Sequence, residues 1–197
     1  MALRAMIFIE TPRLILRPCA QEDRELFHEL STDPAVLEFF PFRRSREDAD
    51  AIFEMIRNLT PEPGFELLVM VLRDSGEAIG FCGLSRLQLE PHLPKNAVEI
   101  GWRLSARHWG NGYATEAGVA LARYAFNVLK LEEILSISVH DNRRVLAVMR
   151  KIGMQRDPAC DFDHPQIPDT HPHLKRHIVH RLSATEWRSR QTRHIEG

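Results

Sequence analysis

Over residues 11–18 the chain reads TPRLILRP, with Leu14 and Leu16 alternating against Arg13, Ile15 and Arg17. That is the period-two pattern of a half-buried strand, closed by a proline with no N–H to donate. The period then changes. Over residues 21–30, Leu26, Phe27 and Leu30 fall at helical spacing until Asp33-Pro34 breaks the pattern. Ser45-Arg46-Glu47-Asp48 has the form of a capping box with Ser45 as N-cap, and Ile52, Phe53, Ile56 and Leu59 continue it as a helix stripe. Apolar runs at 66–72 and 77–84, joined by Arg73-Asp74-Ser75-Gly76, predict a hairpin. After a proline-containing loop at 91–96, residues 97–104 (AVEIGWRL) form a strand. It carries Val98, Ile100, Trp102 and Leu104 on one face and Glu99, Gly101 and Arg103 on the other.

From Thr115 onward, Ala117, Leu121, Tyr124 and Val128 give a second helical stripe, and residues 134–139 (ILSISV) return as a strand with Ser136 and Ser138 opposite Leu135, Ile137 and Val139. Asn142 opens another helix, bearing Val145, Val148, Met149 and Ile152, with Gly153 as its C-cap. A loop rich in His and Pro at 161–173 precedes a last strand at 177–182 and a short turn or helix at 184–187. Strands and helices alternate mid-chain while hairpins flank them, so the pattern predicts an α/β (α+β) fold with a mixed sheet and helices on both faces.

Composition narrows the picture in three ways. With 197 residues, 44% of them hydrophobic, one well-filled domain over 1–197 is expected. A formal charge of -1 provides no broad basic field, so neither nucleic acid nor an anionic membrane surface is an expected partner, and any anionic ligand must be held by local donors. Three cysteines (Cys19, Cys82, Cys160) without C-x-x-C spacing suit reduced packing thiols, and the opening MALRAMIFIETPR has neither the length of a membrane span nor a cleavage site, so a cytoplasmic protein is expected.

The stretch that carries chemistry is RHWGNGYATEA. Gly110 and Gly112 permit positive φ and close approach at a strand-to-helix junction, where the first helical N–H groups have no intrahelical acceptor and are backed by the helix dipole. Such a turn is either a plain connection or a seat for a diphosphate. Arg107 and His108 supply further donors at its rim. A dinucleotide G-x-G-x-x-G is excluded because Thr115 takes the last glycine position, and a P-loop because no Lys-Ser or Lys-Thr follows.

Four segments, in order, resemble the GNAT superfamily of N-acetyltransferases, in the branch similar to ribosomal-protein alanine acetyltransferases. They are Thr11 to Pro18; Ile79-Gly80-Phe81-Cys82-Gly83-Leu84; Glu99-Ile100-Gly101-Trp102 followed by Arg107-His108-Trp109-Gly110-Asn111-Gly112; and Asn142 with Lys151-Ile152-Gly153-Met154. The resemblance implies a splayed, mostly antiparallel sheet of about seven strands. It also implies acetyl-CoA between the fourth and fifth strands, with its diphosphate on the glycine turn, and an amine acceptor that attacks the thioester directly. Homodimerisation is a family expectation.

Carried over residue by residue, the resemblance assigns cofactor contacts to Trp102, Arg103, Leu104, Arg107, His108, Trp109, Gly110, Asn111, Gly112, Tyr113, Ala114 and Asn142. A bulge near Gly101 and Trp102 would aim an N–H at the oxyanion. Glu99 is the candidate general base, the alternative being a structural carboxylate paired with Arg103. Where relatives carry a proton-donating Tyr or Ser, this chain has Met149 and Val145, so Ser138 or water is left as the acid, and a non-catalytic acyl-CoA sensor is the alternative function. Trp109 either packs under the turn or touches the ligand. Arg143 and Arg144 either reach the adenosine phosphates or are solvated. His171, His173 and His177 invite a metal, but intervening prolines and the lack of a cysteine pattern argue against one, and no metal is expected. Asp161, Asp163 and the tail histidines are candidates to meet a cationic acceptor, with Phe39-Phe40-Pro41 forming the opposite wall or ordinary core.

Overall fold

The structure, a computed structural model, describes residues 9–58 and 62–195, the side chains of 192–195 excepted. Leu59 and most of the opening apolar run lie outside the described residues. The chain forms two compact units, Met1–Leu84 with Gly101–Ala120, and Ser85–Ile100 with Leu121–Gly197. Both are mixtures of strand and helix.

In the first unit, β1 (Ile9–Glu10), β2 (Leu14–Pro18), β3 (Leu67–Leu72) and β4 (Ala78–Arg86) pair antiparallel in chain order. The two-residue β1 is too short to show a period, so the expected first strand is the second. Leu14 and Leu16 are fully buried and face Leu72 and Met70 in register, as their alternation requires. The other face, with Val69 and Val71, packs on α1 (Arg24–Thr32) and α2 (Arg46–Asn58) through Leu26, Phe27, Leu30 and Phe53. Phe27 meets Phe53 edge-on and stacks on Phe81, each at 5.4 Å. The capping box forms as read: the Asp48 amide donates to Ser45 Oγ at 3.1 Å and the Ser45 amide to Asp48 Oδ2 at 3.2 Å.

In the second unit, the start of β5 (Val98–Leu104) runs parallel to β6 (Glu133–Val139) in register Glu99↔Leu135. β6 is antiparallel to β9 (Arg176–Ser183) along its whole length, and the short β7 (Gln155–Arg156) and β8 (Phe162–Asp163) also pair with β9. Leu89, Leu93, Leu135, Phe162 and Val179 form one core. α3 (Tyr113–Asn127), whose residues up to Ala120 belong to the first unit, buries Ala117, Leu121 and Ala125, whereas Val128, expected on that stripe, lies past the helix end and is exposed. α4 (Arg143–Ile152) ends at Gly153 with φ +105°. The expected short element at 184–187 is instead a helix, α5 (Ala184–Ile195), started by a second capping box: the Ser183 amide donates to Glu186 Oε2 at 2.9 Å.

One ion pair ties β2 to α1. The Arg17 guanidinium donates to both carboxylate oxygens of Asp23 at 2.7 and 2.8 Å, and Asp23, 1% exposed, also accepts from the Ala20 amide at 2.7 Å. Removing one member would leave a buried charge uncompensated. Asp23→Ala is therefore expected to cost about 3–5 kcal/mol in denaturant unfolding, against about 1 kcal/mol for Ser45→Ala at the exposed cap.

Candidate active site

The glycine turn lies in the first unit. Gly110 and Gly112 have φ of +81° and +82°, and a Cβ at Gly110 would meet nothing within 4 Å. The requirement for glycine there is conformational: an L-residue in this region costs about 1–2 kcal/mol. The Glu116 amide donates to Gly112 O at 3.0 Å as the first i to i−4 bond of α3, so the amides just before it are helix-start donors with no intrahelical acceptor.

A clamp holds this helix start. Glu116 Oε1 accepts from Thr11 Oγ1 at 2.7 Å and from the Arg13 amide at 2.8 Å, while Oε2 accepts from Arg13 Nε at 2.6 Å. Arg13 Nη1 donates to Asn111 O at 2.9 Å, and the guanidinium lies 4.7 Å above the Tyr113 ring. Burial would raise the Glu116 pKa, but the bonds from Thr11 and Arg13 hold it below the ordinary carboxylate value. Sequence reasoning assigned no site role to Thr11, Arg13 or Glu116. The signal was present in the polar residues of TPR and in an acid in the first helical turn.

Several rim residues also have partners within the protein. The Arg107 guanidinium donates to Glu29 at 2.5 Å and to Glu77 at 3.1 Å, so it is engaged by carboxylates and braces the base of the turn. Glu29, despite burial, is held below its ordinary pKa by Arg107 and Ser105. His108 Nε2 lies 3.4 Å from Glu77, and its Nδ1 is buried without a hydrogen-bond partner among the described residues. The Trp109 indole donates to Leu104 O at 3.0 Å and packs against the Phe27–Phe53 core, which settles its side chain under the turn. Asn111 Nδ2 donates to the carbonyls of His108 and Trp109, each at 3.2 Å, and Ala114 sits in the first turn of α3.

Along β5 the Arg103 carbonyl abuts β4, where a Cβ at Gly80 would collide with it, and the Ser105 amide donates to Ile79 O at 3.0 Å. Backbone groups alternate sides along a strand, so those of Trp102 and Leu104 turn away from β4. The Arg103 side chain lies over Phe40 at 4.2 Å and Phe81 at 5.4 Å. Phe40 is thus half-buried under a cation rather than ordinary core.

In the second unit, burial raises the Glu99 carboxyl to about 7, partly offset by a hydrogen bond from the Ile137 amide. That bond places Glu99 one residue along β6 from Ser138, which is buried. The alternative of Glu99 as the ionic partner of Arg103 finds no support in either environment: a backbone amide holds the acid, and aromatic rings hold the base. Asn142 caps α4, its Oδ1 accepting from the Val145 amide at 3.2 Å, which leaves its amide donors for other use. Met149 is fully buried and Val145 half-buried, and Arg143 and Arg144 are exposed.

The histidines do not assemble as His171, His173 and His177. His171 pairs with Thr170 at 2.9 Å, whereas His177 lies 4.7 Å from His164, in a stack with Phe162. Among the described residues no group of three or more His, Cys, Asp or Glu is placed to hold a metal, and no helix is long and apolar enough to cross a membrane. Asp161 is engaged by two Arg156 nitrogens, and the exposed Asp163 lies 3.5 Å from Arg176.

The family pattern described as "Acetyltransferase (GNAT) domain" matches residues 13–155. The chain belongs to the GNAT acetyltransferases. It is 32% identical over 158 residues to the protein YkkB of Bacillus subtilis (strain 168), covering 77% of this chain and 87% of that one. It is also 32% identical over 161 residues to the FsC-acetyl coenzyme A-N(2)-transacetylase of Aspergillus fumigatus, covering 78% and 67%. A crystal structure of an acetyltransferase from Agrobacterium tumefaciens (strain C58) superposes with a TM-score of 0.70 at 28% identity, covering 92% and 97%. As a GNAT acetyltransferase the chain is an acyltransferase, of a family that uses acetyl-CoA, and its mixed, mostly antiparallel sheet is the fold of its structural neighbours.

The clamp yields a test on stability alone. Glu116→Ala removes the acceptor of the buried Thr11 hydroxyl and of two exposed Arg13 donors and is expected to cost about 1 kcal/mol. Arg13→Ala with Glu116→Ala should cost less than the sum of the single changes, by about 0.5 kcal/mol or more in a double-mutant cycle; additive costs would show that the clamp is not a unit.

Proposed function

We propose that this enzyme transfers the acetyl group of acetyl-CoA to a primary amine, on a small molecule or a peptide N-terminus, by direct attack in a ternary complex. The observation that carries this reading is the pair of left-handed glycines presenting the helix-start amides of residues 110–115. Convergent backbone N–H groups backed by a helix dipole suit the CoA diphosphate. The strand groups of Trp102 and Leu104 that turn away from β4 suit the amide-bearing pantetheine arm. The Aspergillus relative is, by its name, a transacetylase with acetyl coenzyme A as donor and a nitrogen as acceptor.

In this account the acceptor amine must lose a proton before it attacks. An α-amine of pKa about 8 is neutral at pH 7 for about 1.4 kcal/mol, whereas a lysine amine near 10.4 requires about 4.6 kcal/mol. Glu99, with its carboxyl near 7, takes that proton directly or through one water, since a base titrating near the working pH is the most effective. Nitrogen then bonds to the thioester carbon. A β5 amide stabilises the oxyanion, which collapses with release of the CoA thiolate. Met149, sealed in the core, has no proton to give. A thiolate of pKa about 8.5 leaves with modest help from Ser138 or water.

Calorimetric titration with acetyl-CoA and thiol release against a panel of amines and N-terminal peptides test this reading. Saturable binding with no acceptor-dependent thiol would return the sensor alternative. The amine-dependent kcat/KM is expected to rise with pH through about 7, as the Glu99 carboxyl ionises. Glu99→Gln should remove that limb and lower turnover by about 10²–10⁴-fold. Because burial raises this pKa, Glu99 favours folding at low pH and loses that contribution as pH rises through about 7; above it, Glu99→Gln should melt higher than the unaltered enzyme. Ser138→Ala should lower turnover by less than about tenfold, since the leaving thiolate needs little assistance.

A further inference from the structure

Carboxylates in this protein are repeatedly answered by an arginine: Asp23 by Arg17, Glu116 by Arg13, Glu29 and Glu77 by Arg107, Asp161 by Arg156, and Asp157 and Glu133 by Arg181. On β5, Arg103 is not answered in this way. Arg103, half-buried on β5, is packed by Phe40 and Phe81 and faces the like charge of Arg44. Among the described residues no carboxylate lies within ion-pair distance of Arg103. Arg44 in turn lies over the Phe42 ring at 4.1 Å. Asp48 is the acid that acts on Arg44, and its Oδ2 is already taken by the Ser45 amide and hydroxyl at 3.2 and 2.9 Å.

Withdrawing from water two guanidinium groups that repel one another is unfavourable unless an anion offsets their charge. Burial, with the Arg44 charge behind it, pulls the Arg103 pKa down to about 10, in keeping with a missing counter-charge. The surround is also rigid. Arg43 Nη1 donates to Leu37 O at 3.0 Å, Phe40 O at 3.4 Å and Phe42 O at 3.0 Å, fixing the segment that carries both rings and Arg44. A guanidinium lying on an aromatic face is pre-oriented and keeps its in-plane N–H fork for a planar bidentate anion. The alternation of β5 puts Arg103 on the same strand face as Glu99, four residues before it.

We propose that Arg103 and Arg44 form a subsite for a carboxylate carried by the acceptor, so that the enzyme acetylates amines bearing a carboxylate rather than polycations. The proposal rests on the acetyltransferase reading above. The carboxylate is either the α-carboxylate of a free amino acid or the side chain of an acidic peptide N-terminus, and both present the same planar anion. The pairing of Asp157 and Asp161 with arginines agrees with it, because a polyamine acceptor is held by carboxylates that are not already paired.

The test uses matched amines: phenylalanine against phenylalaninamide, Asp-Ala-amide against Asn-Ala-amide, and spermidine as the polycation. The carboxylate member of at least one pair should exceed its amide in kcat/KM by tenfold or more, chiefly through KM, and which pair does so identifies the source. That ratio should fall close to one in Arg103→Met and remain intermediate in Arg103→Lys. Ratios near one in the unaltered enzyme, a ratio unchanged by Arg103→Met, or spermidine as the preferred acceptor would overturn the subsite. A second readout does not need turnover: the acetylated carboxylate products should raise the melting temperature more than their amide counterparts, and this difference should vanish in Arg103→Met. No difference in the unaltered enzyme rejects the subsite whether or not acetylation occurs. A difference without any acetylation keeps the anion site and rejects the transferase reading.

Discussion

The account depends on one geometric constraint: α3 must begin abruptly enough to leave its first amides facing outward. Two residues at positive φ, Gly110 and Gly112, make the abrupt entry, and neither is a place where a larger residue simply lacks room. Backbone freedom alone would leave the turn loose. Glu116 prevents that by binding Thr11 and Arg13 from the far end of the chain, while Arg13 also holds Asn111 O. Beneath, Trp109 and Arg107 fix the approach to the turn through Leu104, Glu29 and Glu77. Preorganised donors of this kind need no reordering when an anion arrives.

Charge is distributed on a consistent rule. Polar groups that shape the scaffold are matched, acid to base, often with two hydrogen bonds. Two groups outside that matching, Glu99 and Arg103, stand where chemistry is proposed. Glu99 keeps a carboxyl near neutrality because burial, tempered by one backbone amide, governs it. Arg103 keeps a guanidinium on aromatic rings rather than on an acid. Leaving such groups unmatched costs stability, and that cost fits groups awaiting a substrate proton and a substrate anion.

Much of this was legible in the order of residues. Alternation in TPRLILRP, the Ser45 capping box, the β3–β4 hairpin, α4 with Asn142 and Gly153 at its ends, and the glycine turn all follow from local rules, and all appear. Elements of two residues, β1, β7 and β8, carry no period and were invisible. α5 runs well beyond 184–187 because the box formed by Ser183 and Glu186 gives it a firm start. At the site, residue types were legible but partners were not. Nothing local to RHWG shows that Arg107 answers Glu29, 78 positions earlier in the chain, or that Arg13 answers Glu116 across 103. Long-range ion pairs depend on folding, and they decide which cations remain available to a ligand.

The most direct measurement is an amide-resolved NMR titration of the isotopically labelled enzyme with coenzyme A. The account predicts that the largest shifts fall on the backbone N–H groups of residues 110–115, with the side-chain signals of Arg107 little changed because its carboxylate partners retain it. Binding that leaves those amides unmoved and shifts signals elsewhere would contradict it.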